Sequence, residues 1–246
     1  MTIICKNCNQ HFKGNYCNHC GQPAETHKLD FHYLVHEIQH GLFHFDKGLL
    51  YTIKALFTRP GNSIREFISG KRIMHFKPLS YLIVLATLNG FLYHLFIKAA
   101  PTIIKITGNS NEIIDFVNAN EWMISHYSIF NLLCLPLFAL CSFLAFKKSH
   151  YSYVENLILN AFLSGQQILL KLLFFPLVLL FEIDGKSALF TNIPQFLGMI
   201  LNFWTFNQFF NNVKFRFWRT VLYYIFILVI IFLILTISFN TIKYFR

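Results

Sequence analysis

The sequence predicts an all-α membrane protein, with about five transmembrane helices preceded by a small four-cysteine module and an amphipathic juxtamembrane region. Three observations lead there. The 246 residues are 55% hydrophobic and 13% charged, and 30 of them are Phe. A soluble domain averages about 45–50% apolar and about 25% charged, so this chain is too apolar for one aqueous core. Several stretches approach the roughly 20 apolar residues that a bilayer crossing takes. Finally, four of the six cysteines fall in the first 20 residues, as two CxxC pairs.

Three parts follow in order: residues 1–28, polar and cysteine-rich; 29–78, amphipathic, basic and broken by Pro and Gly; and 79–246, the helical bundle. The expected spans are 79–97, 127–146, 157–181, 193–210 and 220–239. The fourth is the weakest, with Asn202 and Gln208 inside it. No internal repeat and no low-complexity linker stands out. MTIICKNCNQ has no continuous apolar run, so it does not read as a cleaved signal peptide.

The net charge of +10 would suggest nucleic acid in a soluble protein. Here the bilayer accounts for it, and no nucleic-acid partner is expected. Lys and Arg concentrate in 47–77, 147–153 and 211–219, whereas 98–126 and 182–192 are mixed and carry Glu112, Asp115, Glu121, Glu182 and Asp184. The positive-inside rule then puts the N-terminus in the cytosol. With five spans the C-terminus lies outside; without the fourth it returns to the cytosol.

Cys5-x-x-Cys8 and Cys17-x-x-Cys20 stand eight residues apart. Each pair puts two thiolates on one tight turn, and four thiolates close a tetrahedral zinc site with no open position. The pattern therefore reads as a zinc ribbon holding structural Zn²⁺ in a reducing cytosol. Gly14 and Gly21 suit its turns. An iron–sulfur centre and a redox dithiol are the alternatives, and a docking role for the module stands beside the purely structural one.

Residues 31–49 read as an amphipathic helix, with Phe31, Leu34, Val35, Ile38, Leu42 and Phe45 on its apolar face. His32, His36, His40 and His44 recur every four residues on the polar face, a candidate second metal position. His36-Glu37-Ile38-Gln39-His40 also has the HExxH spacing of a zinc hydrolase. A hydrolase needs a third ligand and a cleft, and none is evident. A solvated face is the simpler reading.

Thr58-Arg59-Pro60-Gly61 should end one helix, and Ser63-x-x-Glu66 reads as a capping box opening the next, closed by Gly70. Arg59, Arg65, Lys71, Arg72 and Lys77 then form a basic collar suited to anionic headgroups or another phosphate. CKNCNQHFKGNYCNHCGQ, followed by HFDKGLLYTIKALFTRPGNSIREFISGKRIMHFKPLS, resembles an uncharacterised bacterial family of multi-pass inner-membrane proteins. That family is described as a domain of unknown function with an N-terminal zinc ribbon. The resemblance implies a bacterial inner membrane, zinc at the four cysteines and no established activity.

Within the third span, Asn160, Ser164, Gln167 and Lys171 share one helical face. An ionisable residue at that depth should face the bundle interior or water. Interhelical hydrogen bonding is the simpler explanation, and a polar cavity is the functional one. No Ser/His/Asp set and no phosphate-binding Gly loop occurs, so no catalytic residue is assigned. The leading expectation is a non-enzymatic scaffold or regulatory protein, whose ribbon docks a cytosolic protein and whose collar engages anionic lipid. The alternatives are a small transporter or channel subunit built around Lys171, and a metal-dependent hydrolase using His36, Glu37 and His40.

Overall fold

The computed structural model of the chain describes residues 2–26, 29–34, 48–96, 127–181 and 187–244. It is mostly helical. A two-stranded antiparallel sheet, β1 (Ile3–Ile4) and β2 (His11–Phe12), opens the chain, with Ile3 opposite Phe12 and Ile4 opposite His11. Seven α-helices follow among the described residues: α1 (Gly48–Thr58), α2 (Pro60–Ser69), α3 (Pro78–Phe96), α4 (Tyr127–Ala145), α5 (Tyr153–Phe181), α6 (Ser187–Phe209) and α7 (Arg216–Tyr244).

By length and composition, α3, α5 and α7 are long and apolar enough to cross a membrane. Residues 129–145 of α4 form a shorter apolar helix, as does α1. The five expected stretches are therefore all helical, but α6 falls short of the apolar standard. Asn192, Gln195, Asn202, Asn207 and Gln208 interrupt it.

Helix α5 is the centre of the bundle and packs on α3, α4 and α6. Ile158, Leu159, Ala161, Phe162 and Ile168 are buried on it. Gly165 lets Tyr81 of α3 lie against α5: a Cβ there would come within 2.5 Å of the Tyr81 ring. The Tyr81 hydroxyl donates to Gln166 Oε1 at 2.7 Å. Outward faces stay apolar, with Leu228, Val229, Phe232 and Leu233 of α7 exposed.

One end of the bundle gathers the cationic connections. Arg219 Nη1 donates to the carbonyl of Ala145 at 2.9 Å, and Phe146 stacks on Phe210 with ring centroids 3.8 Å apart. Helices α1 and α2 sit at this same end. Gly61 packs so tightly on α6 that a Cβ would lie 2.4 Å from the Phe209 amide nitrogen and 2.5 Å from the Thr205 oxygen.

The start of α2 departs from the expected capping box. Pro60 takes the first helical turn, where its missing N–H costs nothing. Ser63 is inside the helix and buried, its amide donating to the Arg59 carbonyl at 2.9 Å. The cap comes from α6 instead: Gln208 Oε1 accepts from the Gly61 amide at 3.1 Å and lies 3.5 Å from that of Asn62. A local motif was a misleading signal because the actual acceptor is 147 residues away in sequence. The true capping box belongs to α5, where Ser152 and Glu155 bond each other's amides reciprocally at 2.7 and 3.2 Å.

Candidate functional site

The two CxxC turns are copies of one another, so, contrary to the expectation of no internal repeat, the chain carries one short repeat as CKNCNQ and CNHCGQ. In each, the first cysteine's amide donates to the glutamine carbonyl five residues on, Cys5 to Gln10 and Cys17 to Gln22, both at 2.9 Å. Its carbonyl accepts from the amide of Asn9 or Gly21, at 2.9 and 2.8 Å. Asn9 and Gly21 hold φ of 60° and 73°, the left-handed conformation that lets the chain leave the turn.

These turns bring all four Sγ atoms within 4.8 Å of one another. Cys5 and Cys20 are 3.5 Å apart, Cys8 and Cys17 3.6 Å. A zinc ion with Zn–S bonds of about 2.3 Å in a tetrahedron would place its sulfurs about 3.8 Å apart. The group could hold a metal ion, and zinc fits its donor set and spacing. The thiols are unequal in acidity. For Cys20, burial opposes ionisation, but the Asn7 side chain, the Gln22 amide and neighbouring sulfurs outweigh it and bring the thiol down to about 6. For Cys8 the Gln10 amide favours the thiolate, yet burial and the three other sulfurs push the thiol up to about 12. Ion binding would displace the protons that remain. Four thiolates would complete its shell, so the ion would supply cross-linking, with no free position for chemistry.

The repeat diverges at its glutamines. Gln10 is exposed. Gln22 is 2% exposed and reads the turn that ends α2: its Nε2 donates to the Gly70 carbonyl at 3.1 Å. Its Oε1 accepts from the amides of Arg72 and Ile73 at 3.3 and 3.0 Å. Gly70 adopts φ 109°, and a Cβ there would come 2.8 Å from the Lys6 side chain. The cysteine module is thus fastened to the helices by a residue that no motif singled out.

The collar cations have different surroundings. Arg59 pairs with Glu66 at 3.0 Å and donates to the Tyr51 hydroxyl at 3.0 Å. Burial opposes its charge, but those two partners raise its pKa all the same. Arg65 bonds the Asn62 side chain. Lys71 lies 4.0 Å from Glu66. Arg72 turns away from the others, donating to the Phe67 carbonyl at 3.2 Å and lying over the rings of Tyr33 and Phe67. Lys77 precedes Pro78 at the mouth of α3 and is half-buried. His75, beneath the collar, packs edge-on against Tyr51 and Phe67, and burial lowers its pKa to about 4.

Of the histidine stripe, His32 is exposed on a helical segment, residues 31–34, whose Tyr33 amide is capped by Asp30 at 2.8 Å. His36, Glu37, His40 and His44 lie outside the described residues.

Asn160, Ser164, Gln167 and Lys171 line one cavity of about 670 Å³ between α4, α5, α6 and α7. Asn131, Asn192, Gln195, Asn202, Tyr223 and Tyr224 line it too. Its four α5 residues rise about 16 Å along the helix axis. Asn160 is a structural hub: it donates to Ser142 Oγ and to the Asn156 carbonyl, each at 2.8 Å, and accepts from the Tyr223 hydroxyl at 3.1 Å. Asn202 differs. It is 3% exposed, its Nδ2 donates to the Tyr224 hydroxyl at 2.9 Å, and its Oδ1 has no partner among the described residues. Atoms on Ser63, Asn156 and Gln166, outside this lining, are in the same state among the described residues. Gly198 leaves room for Gln167, whose Cγ would be 3.3 Å from a Cβ at that position.

Residues 46–89 match the family model described as a protein of unknown function (DUF3667). The match covers α1, α2 and the first part of α3, the segment onto which Gln22 and Gln208 fasten. The cysteine module and the other helices lie outside it. No curated protein and no solved structure matches the chain.

Proposed function

We propose that the chain is a multi-pass protein of the bacterial inner membrane that binds, without catalysis, a polar-headed or acidic ligand in the cavity around Lys171 and Asn202. On this reading the ribbon and collar form its cytosolic face, and five helices, α3 to α7, cross the bilayer in alternating directions. The cationic connections at 147–149 and 210–219 share one end with α2, as the positive-inside rule asks of a cytosolic face. The low hydropathy of α6 fits a crossing whose polar residues turn inward. Asn192, Gln195 and Asn202 line the cavity, beside Phe196 and Met199, and Gln208 caps α2, while Ile193, Leu197, Ile200 and Trp204 are exposed outside that lining.

The observation that carries the ligand is Asn202. A buried acceptor without a partner costs about 1–3 kcal/mol, and a lysine within a span costs about 2.5–3.5 kcal/mol on insertion scales. A ligand filling the space between them would offset both costs. Native mass spectrometry of the full chain, released from mild detergent, tests the reading. The wild type should carry an adduct that Lys171→Met and Asn202→Leu both diminish at least tenfold. Equal occupancy in all three proteins would refute it.

A second reading rests on the ribbon's outer face, where Ile3, Ile4 and Tyr16 are exposed. Such a patch suits a cytosolic protein partner. Site-specific cross-linking from position 16 should trap a protein that Ile4→Asp releases, and cross-links only to this chain's own collar would contradict it.

A further inference from the structure

We infer that the cleft between α2 and the start of α5 is an anion site for a phosphate group. It has a volume of about 650 Å³ and is lined by Arg59, Arg65, Lys71, Tyr151 and two carboxylates, Glu66 and Glu155. The acids are already engaged: Glu66 lies against Arg59 and Lys71, and Glu155 closes the α5 capping box. Among the described residues, Arg65 has only a neutral hydrogen-bond partner, Asn62. Lys71 meets its carboxylate at 4.0 Å, the outer limit of an ion pair. Arg65 and Lys71 therefore bring charge that the cleft itself does not neutralise closely, and the Asn62 and Tyr151 side chains add polar groups beside them.

A second hollow of about 270 Å³ shares the Ile68, Ser69 and Glu155 wall and extends toward the ribbon, where Lys6 and Arg72 line it. The cationic surface thus continues past the cleft. A guanidinium and an ammonium facing one space suit a tetrahedral oxyanion, since each offers several donors to its oxygens. The cleft is at the end of the bundle where α3 and α5 begin, so a phosphodiester lipid headgroup and a free phosphate could both supply that anion. This site is separate from the Asn202 cavity and stands whether or not that cavity holds a ligand.

The test uses the full chain, delipidated in a non-ionic detergent, with short-chain phosphatidylglycerol and inorganic phosphate as probes. Arg65→Gln should weaken phosphatidylglycerol binding about tenfold. Glu155→Gln should tighten it several-fold, since an amide keeps the capping box and removes a negative charge. Opposite signs in two variants cannot come from a shared loss of folding. Lys54→Gln, exposed on α1 and outside the lining, should change nothing. Displacement of the lipid by millimolar phosphate would identify a free-phosphate site, and resistance to it a headgroup site; either supports the proposal. Affinities that fail to separate Arg65→Gln and Glu155→Gln from the wild type, or that fall equally with Lys54→Gln, would overturn it.

Discussion

Gln22 and Asn202 are both buried amides, and their surroundings treat them in opposite ways. Gln22 has a partner for its amide nitrogen and two for its oxygen, all of them backbone groups of one turn. Asn202 has a partner for its nitrogen and none for its oxygen among the described residues, and it borders a cavity of about 670 Å³. A fully partnered polar group fixes one arrangement of the chain, whereas a half-partnered one beside a cavity can still accept a further hydrogen bond. On the proposed reading, the junction of the cysteine module with the collar works as a joint and the cavity as a receptacle. Substitutions should separate them, because damage at a joint lowers stability and damage at a receptacle lowers occupancy.

The largest loss should come from the backbone contact beneath the joint. Gly61→Val would force a side chain into the Phe209 and Thr205 backbone, neither of which can turn aside as a flexible side chain would. Overpacking of this kind costs about 1–3 kcal/mol and more against rigid atoms, so thermal unfolding in detergent should shift down by several degrees or the protein should fail to accumulate. A wild-type melting profile in Gly61→Val would remove the close α2–α6 contact from the account of the collar.

Acid should weaken the same region next. His75 titrates near 4 when folded and near 6.5 when free. Its pKa is depressed, so the full stability holds above pH 6.5 and declines as pH falls toward 4, by about 3 kcal/mol in total. His75→Phe should flatten that part of the pH–stability curve. An unchanged slope between pH 6.5 and 4 would show that the ring is not held neutral.

A smaller effect should distinguish the two glutamines of the repeat. Gln22→Ala leaves the Gly70 carbonyl and two amides without their partner, a cost of about 1–3 kcal/mol. Gln10→Ala, at the equivalent exposed position, should cost under about 0.5 kcal/mol. Hydrogen exchange at residues 70–73 should accelerate in the first variant alone. Equal exchange in both would mean that the ribbon does not brace the turn.

Much of this was legible in the sequence because it is local. The four cysteines announce their cluster by spacing, apolar runs mark α3, α5 and α7, and a 3.6-residue period aligns Asn160, Ser164, Gln167 and Lys171 on one face. What escaped is long-range. Gln208 caps α2 across 147 residues, and Gln22 reaches Gly70 across 48. Neither pairing has a signature of its own. The repeat CKNCNQ and CNHCGQ was a usable clue to Gln22, since it isolates two glutamines whose roles then had to be explained. Ser63 misled because Ser-x-x-Glu describes a helix start only when no earlier Pro has already begun the helix, as Pro60 does here. The low apolar content of α6 likewise made sense only once its amides were seen against the cavity and against α2.

The contrast between joint and receptacle is tested most directly by the stability of Asn202→Leu beside that of Gln22→Ala, measured in one detergent with lipid removed. Leucine has the same branched skeleton and discards the unpartnered oxygen, which offsets the lost bond to Tyr224, so Asn202→Leu should melt within about 0.5 kcal/mol of the wild type or above it, while Gln22→Ala melts clearly below. A loss at Asn202 as large as that at Gln22 would make the cavity wall a structural element like the joint, and the case for a bound ligand there would fall with it.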